Sequence, residues 1–323
     1  MTITIPSNLS GVDGNHADIS IRIIDDVMPV AIAFFDIDKT LAHLDIVYKE
    51  AIHVLFPNED TEELIATFLA GFRLGNSFRE FDRMHCIYAE GKTEWKDPEI
   101  YIIERLNSMG RFIDTPGNEI HDRASVYLKV YGAEAAKVAN RLYQTNPELF
   151  SSARIGPLYT ILEMYKKNGV MMFGFTANAK VFVDQISKYL GLSEYFIDIA
   201  TDETMEGGGK EIAIKKLLAI VESKNLVVPK ESLIFIGDSI RGDIGSGLLF
   251  CKNNPGYSGY GILVVSDIKT LIETRTLVNT DQRVYSLVSQ MPIYALVVSE
   301  IPQNNNGEFS LLSVHADKFF FKL

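Results

Sequence analysis

Asp36 and Asp38 stand one residue apart in the run Asp36-Ile37-Asp38-Lys39-Thr40. Two carboxylates at this spacing, at the end of a strand, can both face a crevice once the chain turns. One can then attack an electrophile while the other handles protons. An isolated Asp-x-Asp can equally be a helix N-cap with acid near the helix dipole. A second acidic pair, Asp238 and Asp243, falls in Gly237-Asp238-Ser239-Ile240-Arg241-Gly242-Asp243. Carboxylates beside a glycine-containing turn suit Mg²⁺, a hard cation that prefers oxygen ligands and keeps several waters. Between the two pairs lies Thr176, followed by Ala177 and Asn178. Its hydroxyl can donate to a phosphate oxygen, and the amides that follow point the same way. Lys210 follows Glu206-Gly207-Gly208-Gly209, so it can reach a crevice as a point charge on a glycine hinge. Lys215 and Lys216 are weaker rivals because they sit further into the following helix. Singly, each feature has an ordinary explanation: an N-cap, a solvated lysine, an acidic loop. Four in this order, each at a strand end, are hard to obtain by chance.

The elements that must position these groups are legible as short, unalternated apolar runs. Val30–Phe35 (VAIAFF), Val170–Phe175 (VMMFGF), Tyr195–Ala200 (YFIDIA), Leu233–Ile236 (LIFI) and Gly261–Val265 (GILVV) have this form, that of strands buried on both faces. Amphipathic stretches at Lys180–Leu190, Lys210–Val221 and Ile244–Phe250 separate them. Alternating strands and helices imply an α/β fold, a Rossmann-like parallel sheet with helices on both faces. In such sheets ligands bind beyond the carboxyl ends of the strands, where all four signatures lie.

Residues 43–154 interrupt the alternation with helical patterns at Glu62–Leu74, Ile100–Met109 and Ala133–Tyr143, so an inserted α-helical cap domain is expected there. The expected division is a core of 21–42 and 155–267, the helical insertion at 43–154, and a C-terminal extension at 268–323. The return point falls near Ser151–Pro157, where Ser, Gly and Pro cluster. In the extension, Tyr294–Glu300 and Glu308–Val314 flank a Pro-Gln-Asn-Asn-Asn-Gly turn suited to a β-hairpin. Residues 1–20 are polar and read as a loose arm.

The four signatures, FDIDKT, GFT, GGGK and GDSIRGD, together resemble the haloacid dehalogenase (HAD) superfamily of phosphohydrolases. The resemblance covers residues 30–41 and about 155–265; the insertion matches a phosphoserine-phosphatase-like helical cap in position only. It implies Mg²⁺ held by Asp36, the backbone carbonyl of Asp38 and Asp238, with Asp243 as an additional or outer ligand. It implies Asp36 as the nucleophile that forms an aspartyl-phosphate, and Asp38 as the general acid and base. Thr176 and Lys210 would stabilise the transferring phosphoryl oxygens, with Ala177 and Asn178 beside the substrate. Dehalogenases of this fold lack the second carboxylate, since a halide needs no proton, so Asp38 favours phosphate chemistry. Asp38-Lys39-Thr40 is also similar to part of the P-type ATPase signature, but Leu41 replaces its glycine and no membrane span exists. Caps supply substrate contacts and exclude water; Arg73, Arg79, Arg83 and Arg111 are candidates for a substrate's second anionic group.

The rest of the chain is consistent with a small phosphorylated substrate. Its 323 residues suffice for two domains, and 47% hydrophobic with 23% charged residues is ordinary globular composition. A formal net charge of -11 leaves no excess of cations for general nucleic-acid binding. It also means that an anionic substrate needs a locally positive pocket or a metal. Only Cys86 and Cys251 are present, which suggests reduced thiols in a cytoplasmic setting. The N-terminal residues show no secretory pattern, and the longest apolar runs are strand-sized, so no membrane association is expected. Hydrolysis of a phosphomonoester leads; transfer to a second hydroxyl, as in a phosphomutase, differs only in the acceptor. A phosphoprotein phosphatase or an interaction module on the same scaffold is the third possibility.

Overall fold

Strand β1 (Ile32–Phe35) is apolar at every position because both of its faces are covered. Ala33 and Phe35 join one hydrophobic cluster, and Ile32 and Phe34 join another on the opposite side of the sheet. The computed structural model of the protein describes residues 31–55, 120–205, 209–280, 292–300 and 320–322. Within these, β2 (Met171–Phe175) and β4 (Leu233–Gly237) flank β1 in parallel, with Phe34 opposite both Phe173 and Phe235. The Phe34 ring stacks on both neighbours at centroid distances of 5.8 and 5.5 Å. Adding β3 (Ile199–Ala200), β5 (Gly259–Val265), β6 (Ile293–Val297) and β7 (Phe320–Lys322) gives the order β3-β2-β1-β4-β5-β6-β7. Of these strands only β7 runs antiparallel.

The expected Rossmann-like parallel sheet is therefore the observed one. The segment after Asp267 contributes β6 and β7 to this same sheet. Residues 308–314, the second arm of the expected hairpin, lie outside the described residues. The run Tyr195–Ala200 narrows to the two-residue β3 because its first half closes a 3₁₀ turn over Leu192–Glu194. The amides of Tyr195 and Phe196 both donate to the Leu192 carbonyl, at 3.0 and 3.1 Å, and so are not available to a strand.

One face of the sheet carries α1 (Asp45–Leu55), α2 (Ile120–Thr145), α3 (Glu148–Ala153), α4 (Gly156–Lys167) and α5 (Lys180–Tyr189). The other carries α6 (Asp202–Met205), α7 (Lys210–Ser223), α8 (Gly245–Asn253) and α9 (Ile268–Thr280). The expected helix at 133–143 lies inside α2; those at 62–74 and 100–109 fall outside the described residues. Chain departure and return meet at a narrow seam. The His43 amide donates to the Ala153 carbonyl at 2.9 Å, and the Ile155 amide to the Leu41 carbonyl at 2.8 Å. No helix among the described residues is long and apolar enough to cross a membrane.

Helix α2 comes very close to the loop after β2. A Cβ added at Gly132 would lie 2.4 Å from the Cβ of Ala179. Ala in place of Gly gains up to about 1 kcal/mol of helix propensity, whereas overpacking two backbone-tethered methyls costs about 1–3 kcal/mol. Gly132→Ala is therefore expected to destabilise by about 1–2 kcal/mol net, read as a lower urea midpoint at unchanged m. A midpoint that holds or rises would show that the helix can move away from the loop freely.

Candidate active site

The chain runs from β1 outward to β2 and β3, then returns to the other side of β1 to begin β4. This reversal opens a crevice beyond the carboxyl ends of β1 and β4, the usual ligand position in open α/β sheets. The Asp36 amide donates to the Ile236 carbonyl at 2.8 Å, locking the two strand ends together. Asp36 and Asp238, each the residue just beyond its strand, thus come to lie side by side.

Around Asp36 the groups singled out from the sequence converge. The Lys210 ammonium, at the first turn of α7, donates to Asp36 Oδ1 at 2.5 Å and to Asp243 Oδ1 at 2.6 Å. It also sits 4.6 Å from the centre of the Phe175 ring, so carboxylates and an aromatic face together hold it in place. The Thr40 hydroxyl reaches Asp36 Oδ2 at 3.4 Å. Thr176 is buried at the end of β2, its hydroxyl oxygen accepting from the Asn178 amide at 3.3 Å and from Asn178 Nδ2 at 3.2 Å. Asn178 is buried as well, whereas Ala177 between them is exposed. Asp243 spends both oxygens within the site, Oδ2 accepting from the Ser239 amide at 2.9 Å. It therefore anchors Lys210 in addition to standing within reach of a cation. The rival lysines face elsewhere: Lys216 donates to the Thr204 carbonyl at 2.7 Å, and Lys215 is exposed. Arg73, Arg79, Arg83 and Arg111 lie outside the described residues, as does Cys86. Cys251 is free, and burial pushes its thiol up to about 11, so it is no nucleophile at neutral pH.

Three features had no signal in the sequence strong enough to single them out. Lys39 holds a left-handed backbone, φ 57, unusual for a side chain with a Cβ and the kind of strain that gathers at functional sites. The ring of Phe175 reads in sequence only as a strand residue. Tyr48 reads as one more apolar position of α1. Its hydroxyl nevertheless accepts from Asn178 Nδ2 at 3.2 Å and is hydrogen-bonded to the Asp38 carboxylate.

Among the described residues the site carries more negative than positive charge. Burial, then Asp243 and Asp238, raise Asp36 well above the usual carboxylate range, against the opposing pull of Lys210. Burial, with smaller contributions from Asp36 and Asp45, pushes Asp38 up to about 7 despite Lys39 beside it. Burial, then Asp243 and Asp38, pushes Asp238 up to about 7. Burial alone would lower Lys210, but Asp243 and Asp36 outweigh it and keep the ammonium charged. One carboxylate oxygen each from Asp36, Asp238 and Asp243 lies within 4.8 Å of the others, so the three could hold a metal ion. Ionised together against one ammonium, three carboxylates leave two negative charges uncompensated. An oxygen-only donor set with that deficit fits a hard divalent cation such as Mg²⁺.

The sign of the pH dependence follows. Asp36 and Asp238 have folded-state pKa values above the ordinary 3.8, so the metal-free folded chain binds more protons than the unfolded one. Its stability is greatest below that value and falls as pH rises through the raised ones. A cation requires these ligands deprotonated, so its stabilisation grows over the same range. Saturating Mg²⁺ is expected to raise Tm by roughly 5 °C at pH 8 and by less than about half of that at pH 6, with EDTA reversing both. Equal shifts at the two pH values would detach the metal from this carboxylate cluster.

No family model matches the chain, and no curated protein does. Solved structures do resemble it. A protein named as a HAD-hydrolase, YfnB of Bacillus subtilis bound to magnesium, is 15% identical over 77% of this chain and 98% of its own, with a TM-score of 0.43. β-Phosphoglucomutase from Clostridium difficile is 14% identical over 76% and 88%, with a TM-score of 0.40. L-2-haloacid dehalogenase from Xanthobacter autotrophicus, with chloropropionic acid covalently bound, is 14% identical over 79% and 84%, with a TM-score of 0.35. These neighbours span hydrolase, mutase and dehalogenase. Likeness at this level carries no weight for the reaction, which the residues of the crevice must decide.

Proposed function

We propose that the chain is a Mg²⁺-dependent phosphomonoester hydrolase of the HAD superfamily, acting on a small phosphorylated substrate through an aspartyl-phosphate on Asp36. The observation that carries this reading is the second buried carboxylate, Asp38, whose Oδ1 has no hydrogen-bond partner among the described residues. An alkoxide leaving group needs a proton and a halide does not, so a raised, partly unsatisfied carboxyl next to the nucleophile is suited to phosphate esters.

In the first step an Asp36 oxygen bonds to phosphorus while the ester P–O bond breaks, and the Asp38 carboxyl proton goes to the departing alcohol. In the second, Asp38 takes a proton from water, the water oxygen bonds to phosphorus, and the Asp36–phosphorus link breaks to release inorganic phosphate. Lys210 and the Thr176 hydroxyl supply donors to the phosphoryl oxygens as charge moves onto them. Asp243 keeps Lys210 aimed at Asp36. Asp36, Asp238 and Asp243, with the Asp38 carbonyl, would hold Mg²⁺, which when bound offsets repulsion between carboxylate and phosphate.

The test is phosphate release from a panel of phosphomonoesters, including phosphoserine and phosphotyrosine peptides, with and without Mg²⁺. Metal-dependent release from small esters is the expected result. No release from any ester at any Mg²⁺ concentration would exclude hydrolysis and leave transfer or binding.

A further inference from the structure

Tyr48 is wholly buried, and its ring is held between two helices. The Tyr131 ring of α2 lies 6.1 Å away between centroids, and the Phe182 ring of α5 lies 5.7 Å away. Packing on both sides fixes where the hydroxyl points. A tyrosine hydroxyl has one proton to donate and can accept in return. Here the accepting side is occupied by Asn178 Nδ2 at 3.2 Å, so the single proton is directed to its other partner, the Asp38 carboxylate. Among the described residues Asp38 Oδ1 has no partner, so this bond falls on Oδ2. Asn178 is itself fixed through Thr176. A continuous chain thus runs from the loop after β2, through a helix of the 43–154 segment, to the proton carrier.

We infer that Tyr48 is the positioning residue for proton transfer: by donating to Asp38 Oδ2, it leaves Oδ1 as the oxygen that exchanges a proton with the leaving group and then with water. This rests on the reading of Asp38 as general acid. A carboxyl group free to rotate would present either oxygen and would also be drawn towards Lys39 or the metal ligands. Fixing one oxygen removes that freedom before substrate arrives, as orientation of a catalytic group requires.

The experiment compares kcat/KM with Mg²⁺ across phosphate esters from p-nitrophenyl phosphate, whose leaving group needs little protonation, to simple alkyl phosphates, whose leaving group needs it fully. In the full-length chain, Tyr48→Phe is expected to reduce kcat/KM for alkyl phosphates roughly 10- to 100-fold and for p-nitrophenyl phosphate less than about 3-fold. The rate then depends more steeply on leaving-group basicity. In an Asp38→Asn background, read as the rate of the first turnover, the same change should have no further effect. A uniform loss across the series, or full additivity with Asp38→Asn, would assign Tyr48 to packing alone and overturn the inference. If Tyr48→Phe does not fold, Asn178→Asp poses the same question with the ring intact. The new carboxylate competes for the hydroxyl proton and should steepen the series; an unchanged slope counts against Tyr48. Asp38→Asn alone separates the two levels of the argument. If it fails to steepen the series, Asp38 is not the acid and the reading of the site fails; if it steepens the series and Tyr48→Phe does not, only the role of Tyr48 falls.

Discussion

Asp36→Asn is expected to lower kcat by roughly 10⁴-fold or more while leaving the fold intact. The amide is nearly isosteric with the carboxylate, so the ladder contact between Asp36 and Ile236 is untouched. It cannot attack phosphorus, and no carboxylate nearby among the described residues can take its place. Asp243 has both oxygens engaged by Lys210 and Ser239, and Asp238 is one of the three carboxylates that could hold a metal ion. Removing one of several crowded carboxylates also relieves repulsion, so thermal stability without metal should not fall. Phosphate release under saturating Mg²⁺ measures the loss. Activity above about 1% of wild type, on a scale where nucleophile removal is this severe, would take Asp36 out of the role. Peptide mapping after a rapid acid quench of the wild-type enzyme should find the phosphoryl group on Asp36.

The second large effect belongs to Asp38. Asp38→Asn is expected to reduce turnover of alkyl phosphates by roughly 10²–10⁴-fold, the usual range for losing a general acid. With p-nitrophenyl phosphate the first step needs little help, but the second still needs a base to take the proton from water. The variant should therefore release close to one equivalent of p-nitrophenol per enzyme in a burst and then stall as phospho-enzyme. Rapid mixing followed at the nitrophenolate absorbance would show this. A variant that turns over p-nitrophenyl phosphate without a burst and at the wild-type rate would contradict both roles given to Asp38.

Much of this site could be read from the residues alone, for a definite reason. Parallel strands buried on both sides are written as uninterrupted apolar runs, so β1, β2, β4 and β5 could be found, and the polar residues beyond β1, β2 and β4 stood out. The spacing of Asp36 and Asp38 and the glycine before Lys210 belong to the local backbone, which sequence encodes directly. What could not be read depends on contacts across the fold. Tyr48 looks like any aromatic on an amphipathic helix, and only the packing of α1 beside the loop after β2 reveals its polar partners. Lys39 adopts a left-handed conformation without the glycine that normally signals one. β3 was overestimated because YFIDIA has strand composition, while its first residues are spent on closing a turn. Asp243 could be recognised as a site carboxylate, but not as the group that steadies Lys210.

The seam between Leu41–His43 and Ala153–Ile155 has a consequence for how such a protein can diversify. Departure and return are tied by adjacent main-chain hydrogen bonds, so the loop bearing Asp36 and Asp38 is braced at the seam itself. Loop closure depends only weakly on the length of the chain spliced in. The chain between α1 and α2 can therefore be exchanged for a longer, shorter or differently charged one while Asp36 keeps its place. The exceptions are α1 and α2, because Tyr48 lies beyond the seam and the Tyr131 ring of α2 packs on it. An exchange confined to the chain between α1 and α2 keeps both tyrosines and should change which ester is accepted while preserving the dependence on leaving-group basicity. One made at the seam itself removes Tyr48 and should steepen that dependence.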